Sequence, residues 1–197
     1  MIDVRHSFLP AVIACRLKNK VESMEFPWHF CENSINIKQQ TISSLKYSQF
    51  AHILFSDDTP VSPFFHTFSP ILHFIEDRFN TEISSIVKFK INFLQNNKDV
   101  VMHYPHCDHN SPGFTSFVYY LNTSDGDTNF YDECANEDTP TSYHTDDSLT
   151  LLKSITPHFN SIVRFDSARY HSYYTPVRCN KRYVINLVVK LNEHINQ

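Results

Sequence analysis

The sequence predicts a mainly β fold of the α+β class, in which N-terminal helices pack on the outside of a β-core. At least seven short segments with strand patterns follow one another from residue 87 onwards, separated by turn-forming residues at fairly regular spacing. This spacing is typical of a sandwich or barrel. The helical patterns come earlier in the chain, so the helices are expected to support the β-core from outside. With 197 residues, of which 41% are hydrophobic, the chain suits one globular domain, residues 1–197, with a sizeable core.

Residues 1–85 are predicted to supply helical support and outer strands. The segment from Ser7 to about Glu22 suits a helix, because Pro10 lies near its first turn, where a missing N–H is tolerated. An aromatic strand is predicted at Phe26-Pro27-Trp28-His29-Phe30, and a short apolar strand from Phe50 to Phe55. Phe68 to Phe79 predicts a second helix, whose apolar residues recur at helical spacing: Ile71, Phe74, Ile75 and Phe79.

Residues 86–191 are predicted to form the β-core that carries the candidate site. Val87 to Phe93 alternates strictly between apolar and polar residues, as in a strand whose two faces meet different surroundings. Glycine occurs only twice, so Gly113 and Gly126 are expected where the backbone requires them. Further strands are predicted at Val100–Tyr104, Phe114–Asn122, Asn129–Tyr131, Leu149–Ile155, Ser161–Phe165 and Tyr183–Leu191, with a turn at Ser124-Asp125-Gly126-Asp127 before the third of these.

Hydropathy and cysteine content indicate the cellular compartment of the protein. No stretch approaches the roughly 20 apolar residues of a membrane-spanning helix, and the N-terminus has no signal-peptide pattern. The five cysteines are odd in number and form no CxxC pair, which indicates a reducing compartment with free thiols. We therefore expect a cytoplasmic protein, or one of the host-cell cytoplasm if the chain is phage-encoded. The same spacing argues against a four-thiolate zinc site.

The charges are distributed unevenly. The formal net charge is -4, yet ten of the 21 acidic residues lie between Asp99 and Leu152, where there is no Lys or Arg. Such a field repels a phosphate backbone and attracts cations. It disfavours bare nucleic acid as a partner and favours a basic peptide or a cationic small molecule as a substrate. The stretch from Asp125 to Asp147 is expected to include a loop at the mouth of the site, acting as a lid; the alternative is a solvated acidic loop.

His106, Asp108 and the distant His171 are candidate metal ligands. On a strand, residues i and i+2 point to the same face, so His106 and Asp108 would project together while Cys107 points away. Two imidazoles and one carboxylate can hold one face of a ferrous ion and leave the other face open. A second triplet, His144-Thr145-Asp146, competes with the first. It lies in a polar run without a strand pattern, whereas His106 follows one predicted strand and precedes another.

Several motifs surround these candidates in chain order: Phe89-Lys90-Ile91-Asn92-Phe93, the His106–Asp108 triplet, Tyr120-Leu121-Asn122, Gly126-Asp127-Thr128-Asn129-Phe130, Ile162-Val163-Arg164-Phe165-Asp166 ahead of His171, and Arg182-Tyr183-Val184-Ile185-Asn186. With this ordered set, the chain from about Ile86 to Lys190 resembles the Fe(II)- and 2-oxoglutarate-dependent oxygenases, in their prolyl-4-hydroxylase-like branch. Phe26-Pro27-Trp28 is also similar to small bacteriophage members of that family. The resemblance implies a double-stranded β-helix, which is a jelly-roll or cupin-like barrel of two antiparallel sheets.

The resemblance also implies roles for individual residues. His106, Asp108 and His171 match the Fe(II) ligands, and Arg182 matches the residue that holds the far carboxylate of 2-oxoglutarate. A planar guanidinium suits that task, because it makes a two-pronged contact with a carboxylate. Tyr120 matches a tyrosine whose hydroxyl contacts the same carboxylate. The alternatives are a surface position for Arg182, with Arg178 as the competing arginine, and simple core packing for Tyr120.

The implied reaction consumes O2 and 2-oxoglutarate, releases succinate and CO2, and hydroxylates an unactivated C–H bond of a peptide, protein or small molecule. Ascorbate is a candidate supporting reductant. Two other classes stay open at this point. One is a non-catalytic metal-binding β-barrel module, which would bind metal without turning over 2-oxoglutarate; Arg182 and Tyr120 argue against it. The other is an O2-independent enzyme on a cupin-like barrel that uses zinc or manganese.

Overall fold

The computed structural model describes residues 1–31, 48–56, 58–96, 98–142 and 146–193. The mainly β prediction is confirmed. Within these ranges no helix is long and apolar enough to cross a membrane. The helices are α1 (Ala11–Glu22), α2 (Phe65–Phe68) and α3 (Pro70–Phe79), and the strands are β1 (Asp3–Arg5), β2 (His29–Cys31), β3 (Gln49–Ser56), β4 (Thr59–Pro60), β5 (Thr81–Gln95), β6 (Phe114–Tyr120), β7 (Thr128–Cys134), β8 (Leu151–Ile155), β9 (Ser161–Asp166), β10 (Arg169–Tyr173) and β11 (Lys181–Glu193).

The strands form two antiparallel sheets. The larger sheet has eight strands in the order β1-β9-β6-β11-β5-β3-β2, with β4 paired to β3, and the smaller sheet has the order β10-β7-β8. Strand β11 lies in the middle of the larger sheet, between β5 and β6. Its run of β-branched and other apolar residues suits a strand that is paired on both edges and covered on both faces. The two sheets form the double-stranded β-helix predicted from the sequence.

The outer face of the larger sheet carries the main hydrophobic core. Phe117 and Tyr119 of β6 and Leu187 of β11 point to this face and share one buried cluster with Leu17 of α1 and Ile75 of α3. Fully burying a side chain of this size contributes about 1.5–3 kcal/mol. The N-terminal helices therefore support the sheet from outside, as the order of helical and strand patterns predicted.

The inner face of the same strands looks towards the smaller sheet. Val118 and Tyr120 of β6 and Val184 of β11 form a second buried cluster with Phe130 of β7 and Ile155 of β8. Because successive side chains of a strand alternate between faces, the polar residues on the same strand faces as this cluster also point inward. Those on β5 and β11 are Lys88, Lys90, Asn92, Arg182 and Asn186.

Two predicted strands differ from the structure. Val100 to Tyr104 forms no regular strand, although Met102 bridges to Tyr174, just after β10, and His106 bridges to His171 in β10. Three residues lie between the two bridges on one side and two on the other, and Pro105 has no N–H to donate to a ladder. In the same way Pro27 interrupts the predicted aromatic strand, so that only its end pairs, as β2, while Phe26 turns into the core.

Candidate metal centre

Two histidines and an aspartate meet between the two sheets. His171 lies in β10 of the smaller sheet, and His106 and Asp108 lie in the irregular segment beside it. One potential ligand atom from each of the three residues lies within 4.8 Å of the others. The structure thus brings together the three residues that the sequence singled out, across more than sixty positions of chain.

Backbone hydrogen bonds hold this arrangement. His106 and His171 each donate an N–H to the other's carbonyl, both at 2.9 Å, and the N–H of Asp108 donates to the carbonyl of Ser167 at 3.0 Å. Residues paired in this way carry their side chains on the same side of the ladder. The two imidazole rings consequently lie with their centroids 4.4 Å apart.

Both imidazoles present the same nitrogen to the site. Nδ1 of His106 lies 3.1 Å from the carbonyl of Tyr104, and Nδ1 of His171 lies 3.1 Å from the carbonyl of Arg169. A carbonyl can only accept, so each Nδ1 carries the proton and each Nε2 offers a lone pair, as in many metal-binding histidines. Burial, followed by the proximity of His171, lowers the pKa of His106 to about 3, and burial also lowers the pKa of His171. Near neutral pH both rings are therefore in the form that binds metal.

The side chain of Asp108 is buried, with 2% of its surface exposed, but its carboxylate has hydrogen-bonding and charged partners. Its Oδ2 accepts a hydrogen bond from Oγ of Ser116 at 2.8 Å, and Nζ of Lys88 lies 3.5 Å from its Oδ1. Burial alone would raise the pKa of Asp108, but the charge of Lys88 and the hydrogen bond from Ser116 hold it well below its usual range. The carboxylate is therefore ionised and oriented before any metal arrives. No pattern in the sequence predicted the roles of Lys88 and Ser116.

Arg182 of β11 points into the same cavity as the two histidines. Its Nε donates to the carbonyl of Gly126 at 2.9 Å, and its Nη2 donates to Oγ1 of Thr128 at 2.8 Å. The residue is only 3% exposed, and none of the described carboxylates lies within 4.0 Å of its guanidinium. Burial lowers the pKa of Arg182, and the proximity of Tyr120, Tyr173 and Asp127 opposes this effect only in part. A buried guanidinium with spare donors and no anion is suited to an anionic ligand.

Tyr120 and Tyr173 both lie beside Arg182, and of these two tyrosines Tyr173 lines the cavity. Tyr120 is fully buried, and its hydroxyl donates to Oγ1 of Thr128 at 2.8 Å. Its ring also lies 5.8 Å from Cζ of Arg182, but Tyr120 does not line the cavity. Tyr173 does line the cavity, and its ring lies 5.2 Å from Cζ of Arg182. Strand alternation offered a signal for this residue, because Tyr173 lies two positions after His171 in the same strand.

Gly126 allows the turn before β7 to approach Arg182 closely. A Cβ at this position would lie 2.4 Å from the carbonyl oxygen of Tyr174 and 3.0 Å from Cδ of Arg182. No side chain fits there without movement of the backbone. The expectation that this scarce glycine serves a backbone requirement is consistent with these distances.

The other histidines and cysteines that the structure describes lie outside the metal cluster. His103 is buried and stacks on Tyr173 at 4.4 Å between ring centroids, and His109 stacks on Phe114 at 3.9 Å. Cys107 points away from the ligands into a separate small cluster. His144, the competing histidine, lies outside the described residues.

Several residues of the acidic stretch are engaged in local structure. The carboxylate of Asp125 accepts backbone N–H groups of the loop before β11, from Val177, Arg178 and Cys179, and these bonds lower its pKa to about 2 although burial acts in the other direction. Glu133 similarly accepts the N–H of Thr150. These carboxylates hold loops in place, so the charge count of this stretch overstates the negative charge that faces the cavity.

The donor set fits a divalent transition metal. Two neutral imidazoles and one ionised carboxylate on one side are the ligands that suit Fe(II) with open positions on the other side. Arg182 adds a carboxylate receptor within the same cavity. The arrangement can therefore bind a metal ion and a metal-chelating acid together.

Comparisons with known proteins agree on the fold. No protein-family profile and no curated protein matches the chain, but several solved structures do. An oxidoreductase of the 2OG-Fe(II) oxygenase family from Burkholderia pseudomallei matches with a TM-score of 0.60 and 14% identity, over 98% of this chain and 85% of that one. A prolyl hydroxylase from Trichoplax adhaerens, in complex with a hypoxia inducible factor peptide fragment, matches with a TM-score of 0.58 and 15% identity, over 96% and 83%.

A third structure, the non-heme alpha ketoglutarate dependent epimerase SnoN from nogalamycin biosynthesis, matches with a TM-score of 0.63 and 11% identity, over 96% of this chain and 78% of that one. At such identities the likeness establishes a common fold. It is the fold that the resemblance of the sequence implied.

Proposed function

We propose that this chain is an Fe(II)- and 2-oxoglutarate-dependent oxygenase. One observation carries the proposal: a buried guanidinium without a carboxylate partner among the described residues shares a cavity with His106 and His171. A cation buried without an anion is costly, and a bound carboxylate would offset that cost. 2-Oxoglutarate has a keto acid that can chelate a metal and a carboxylate at the other end of a short chain, so it matches both halves of the cavity.

In this proposal His106, Asp108 and His171 hold Fe(II), which together with 2-oxoglutarate and O2 supplies an oxidant for an unactivated C–H bond, with release of succinate and CO2. The protein contributes placement and exclusion of water. Arg182 and the hydroxyl of Thr128 orient the far carboxylate of 2-oxoglutarate. We take residues 1–197 as a single domain, with 1–85 as support and 86–191 as the catalytic core.

Tyr120 is a positioning residue in this proposal, because its hydroxyl holds Thr128. Ser116 and Lys88 keep the carboxylate of Asp108 ionised and correctly turned. The Nδ1 hydrogen bonds of the two histidines fix their rings, so that the lone pairs of Nε2 converge before metal binds.

For the primary substrate we propose a peptide, a protein or a small molecule, hydroxylated at a C–H bond. A peptide is reasonable because the Trichoplax adhaerens neighbour was solved with one, whereas the SnoN neighbour is named an epimerase. The cationic substrate expected from the acidic stretch has weaker support, since Asp125 and Glu133 are engaged with backbone N–H groups. We further propose a reducing, cytoplasmic setting, with ascorbate as a supporting reductant.

The test uses the full chain under anaerobic conditions. Fe(II) and 2-oxoglutarate added together should give a weak charge-transfer band in the visible spectrum, and admission of O2 should then produce succinate. Metal binding with neither band nor succinate would favour a non-catalytic binding module. Turnover of a substrate without O2 would favour a hydrolytic or isomerising metal enzyme.

A further inference from the structure

We infer that Lys90 forms an anion-binding subsite beside the metal centre and selects a primary substrate that carries a carboxylate. The inference rests on the proposed function, because it assigns 2-oxoglutarate to Arg182 and leaves Lys90 for the second organic ligand. It also reverses the sign of the substrate charge that the acidic stretch predicts.

The position of Lys90 is the first argument. It lies on the inner face of β5, opposite Asn186 of β11, and it lines the cavity that also contains His106, His171 and Arg182. Its ammonium makes no hydrogen bond and no salt bridge with any residue that the structure describes. Burial, followed by the charge of Lys88, lowers the pKa of Lys90 to about 8. The charge of Asp108 opposes this lowering only in part, so an anion in direct contact with the ammonium would stabilise it further.

Asp108, the carboxylate of the metal centre, makes no salt bridge with Lys90 among the described residues. Asp108 already has Nζ of Lys88 at 3.5 Å and the hydroxyl of Ser116 at 2.8 Å, and it would also be a metal ligand. Lys88 and Lys90 thus divide into two roles, although they lie two residues apart on one face of one strand. Lys88 stabilises the carboxylate of Asp108, whereas the ammonium of Lys90 stays available to a ligand.

The neighbours of Lys90 indicate what accompanies the anion. Oδ1 of Asn92, the next inward-pointing residue of β5, and Oδ1 of Asn186 are both buried and accept no hydrogen bond among the described residues. Both residues line the same cavity. Buried acceptors without a donor are uncommon in native proteins and require an explanation. A ligand with an N–H or O–H group next to its carboxylate would satisfy them while its charge meets Lys90.

Titration of the full chain by calorimetry tests the inference. The chain is first loaded with Mn(II), which does not support turnover in this design, and with 2-oxoglutarate, and it is then titrated with acetate or with the neutral acetamide. The wild type should bind acetate and bind acetamide at least about tenfold more weakly, as expected for loss of one charge-assisted hydrogen bond. Lys90→Met should weaken acetate binding by a similar factor. The control Lys190→Met, which removes an exposed lysine of β11, should leave it unchanged.

Each other outcome has a definite meaning. Equal affinity for acetate in the wild type and Lys90→Met, or no acetate binding at all, overturns the inference. A weaker affinity for 2-oxoglutarate in Lys90→Met overturns it too, because the lysine would then hold the co-substrate. Failure of the wild type to bind 2-oxoglutarate refutes the proposed function separately, and acetate titration of the Mn(II)-loaded chain then still tests Lys90. Unchanged Mn(II) affinity shows that the variant is folded, and Lys90→Gln replaces it otherwise.

Discussion

Replacement of Arg182 by methionine should abolish tight binding of 2-oxoglutarate while leaving the metal site intact. The side chain lies on the inner face of β11 and does not touch the three candidate ligands. Its Nε and Nη2 already donate to Gly126 and Thr128. Both hydrogens of Nη1 and one of Nη2 stay available, which is enough for a two-pronged contact with a carboxylate.

The expected size of the effect follows from these donors. Each charge-assisted hydrogen bond contributes about 1.5–3 kcal/mol, and solvent screening is weak because Arg182 is 3% exposed. Loss of two such bonds therefore costs at least about 3 kcal/mol, which raises the Kd of 2-oxoglutarate roughly 150-fold. Arg182→Lys keeps a charge but not the planar fork, so a loss of about tenfold is expected.

The assay is a titration of the Mn(II)-loaded chain with 2-oxoglutarate by calorimetry, with Mn(II) affinity measured first as a check of folding. Arg178→Met is the matched control, because this arginine lies four residues earlier, is 89% exposed in its side chain and contacts Asp125 instead. Unchanged 2-oxoglutarate affinity in Arg182→Met, with unchanged Mn(II) affinity, would refute the assignment of the buried guanidinium. An equal loss in Arg178→Met would point to the competing arginine.

Three further changes have definite expected results. His106→Ala or Asp108→Ala should abolish succinate formation, because either change removes a ligand from the facial set. Gly126→Ala should lower the free energy of unfolding by about 1–3 kcal/mol, since its Cβ would overlap the carbonyl of Tyr174; a urea titration measures this. Burial, followed by the charge of Arg182, lowers the pKa of His103 to about 3, so the unfolded chain binds an extra proton between about pH 6.5 and 3 and stability is lost as pH falls through that window. His103→Phe should remove up to ~1.4 kcal/mol per pH unit from that slope in the metal-free protein.

Control variants separate these specific effects from a general loss of stability. Gly113→Ala introduces strain at a φ of 85° but no contact within 4 Å, so it measures backbone strain without a clash. An unchanged free energy of unfolding in Gly126→Ala would contradict the close approach at Gly126. His73→Phe changes a histidine whose side chain is 84% exposed and serves as the matched histidine-to-phenylalanine control. Retained succinate formation in both ligand variants would refute the metal centre.

Local patterns predicted most of the fold because β-strands and helices have short periods that can be read from neighbouring residues. The alternation from Val87 to Phe93 predicted β5, and the helical spacing before Phe79 predicted α3. The prediction was wrong from Val100 to Tyr104, where Pro105 breaks the ladder and tertiary bridges to β10 hold the chain in place.

The candidate site divides in the same way. The metal-binding residue types and their order are properties of the sequence, and the HxD spacing needs only one extended segment to bring two ligands together. Strand alternation places both Tyr120 and Tyr173 on inward-facing positions, so alternation alone could not decide which of them lines the cavity. Tertiary packing decides it, because it turns the hydroxyl of Tyr120 to Thr128.

By itself, the sequence determined a β-core with outer helices, the ligands His106, Asp108 and His171 as candidates, and the presence of an arginine in the last strand. Only the tertiary structure decided which charges have partners. Lys88 pairs with Asp108 at 3.5 Å, whereas Arg182 and Lys90 have no carboxylate within 4.0 Å among the described residues. The physical reason is that periodicity is a local property of the chain, whereas the energy of a buried charge depends on groups that folding brings from distant positions.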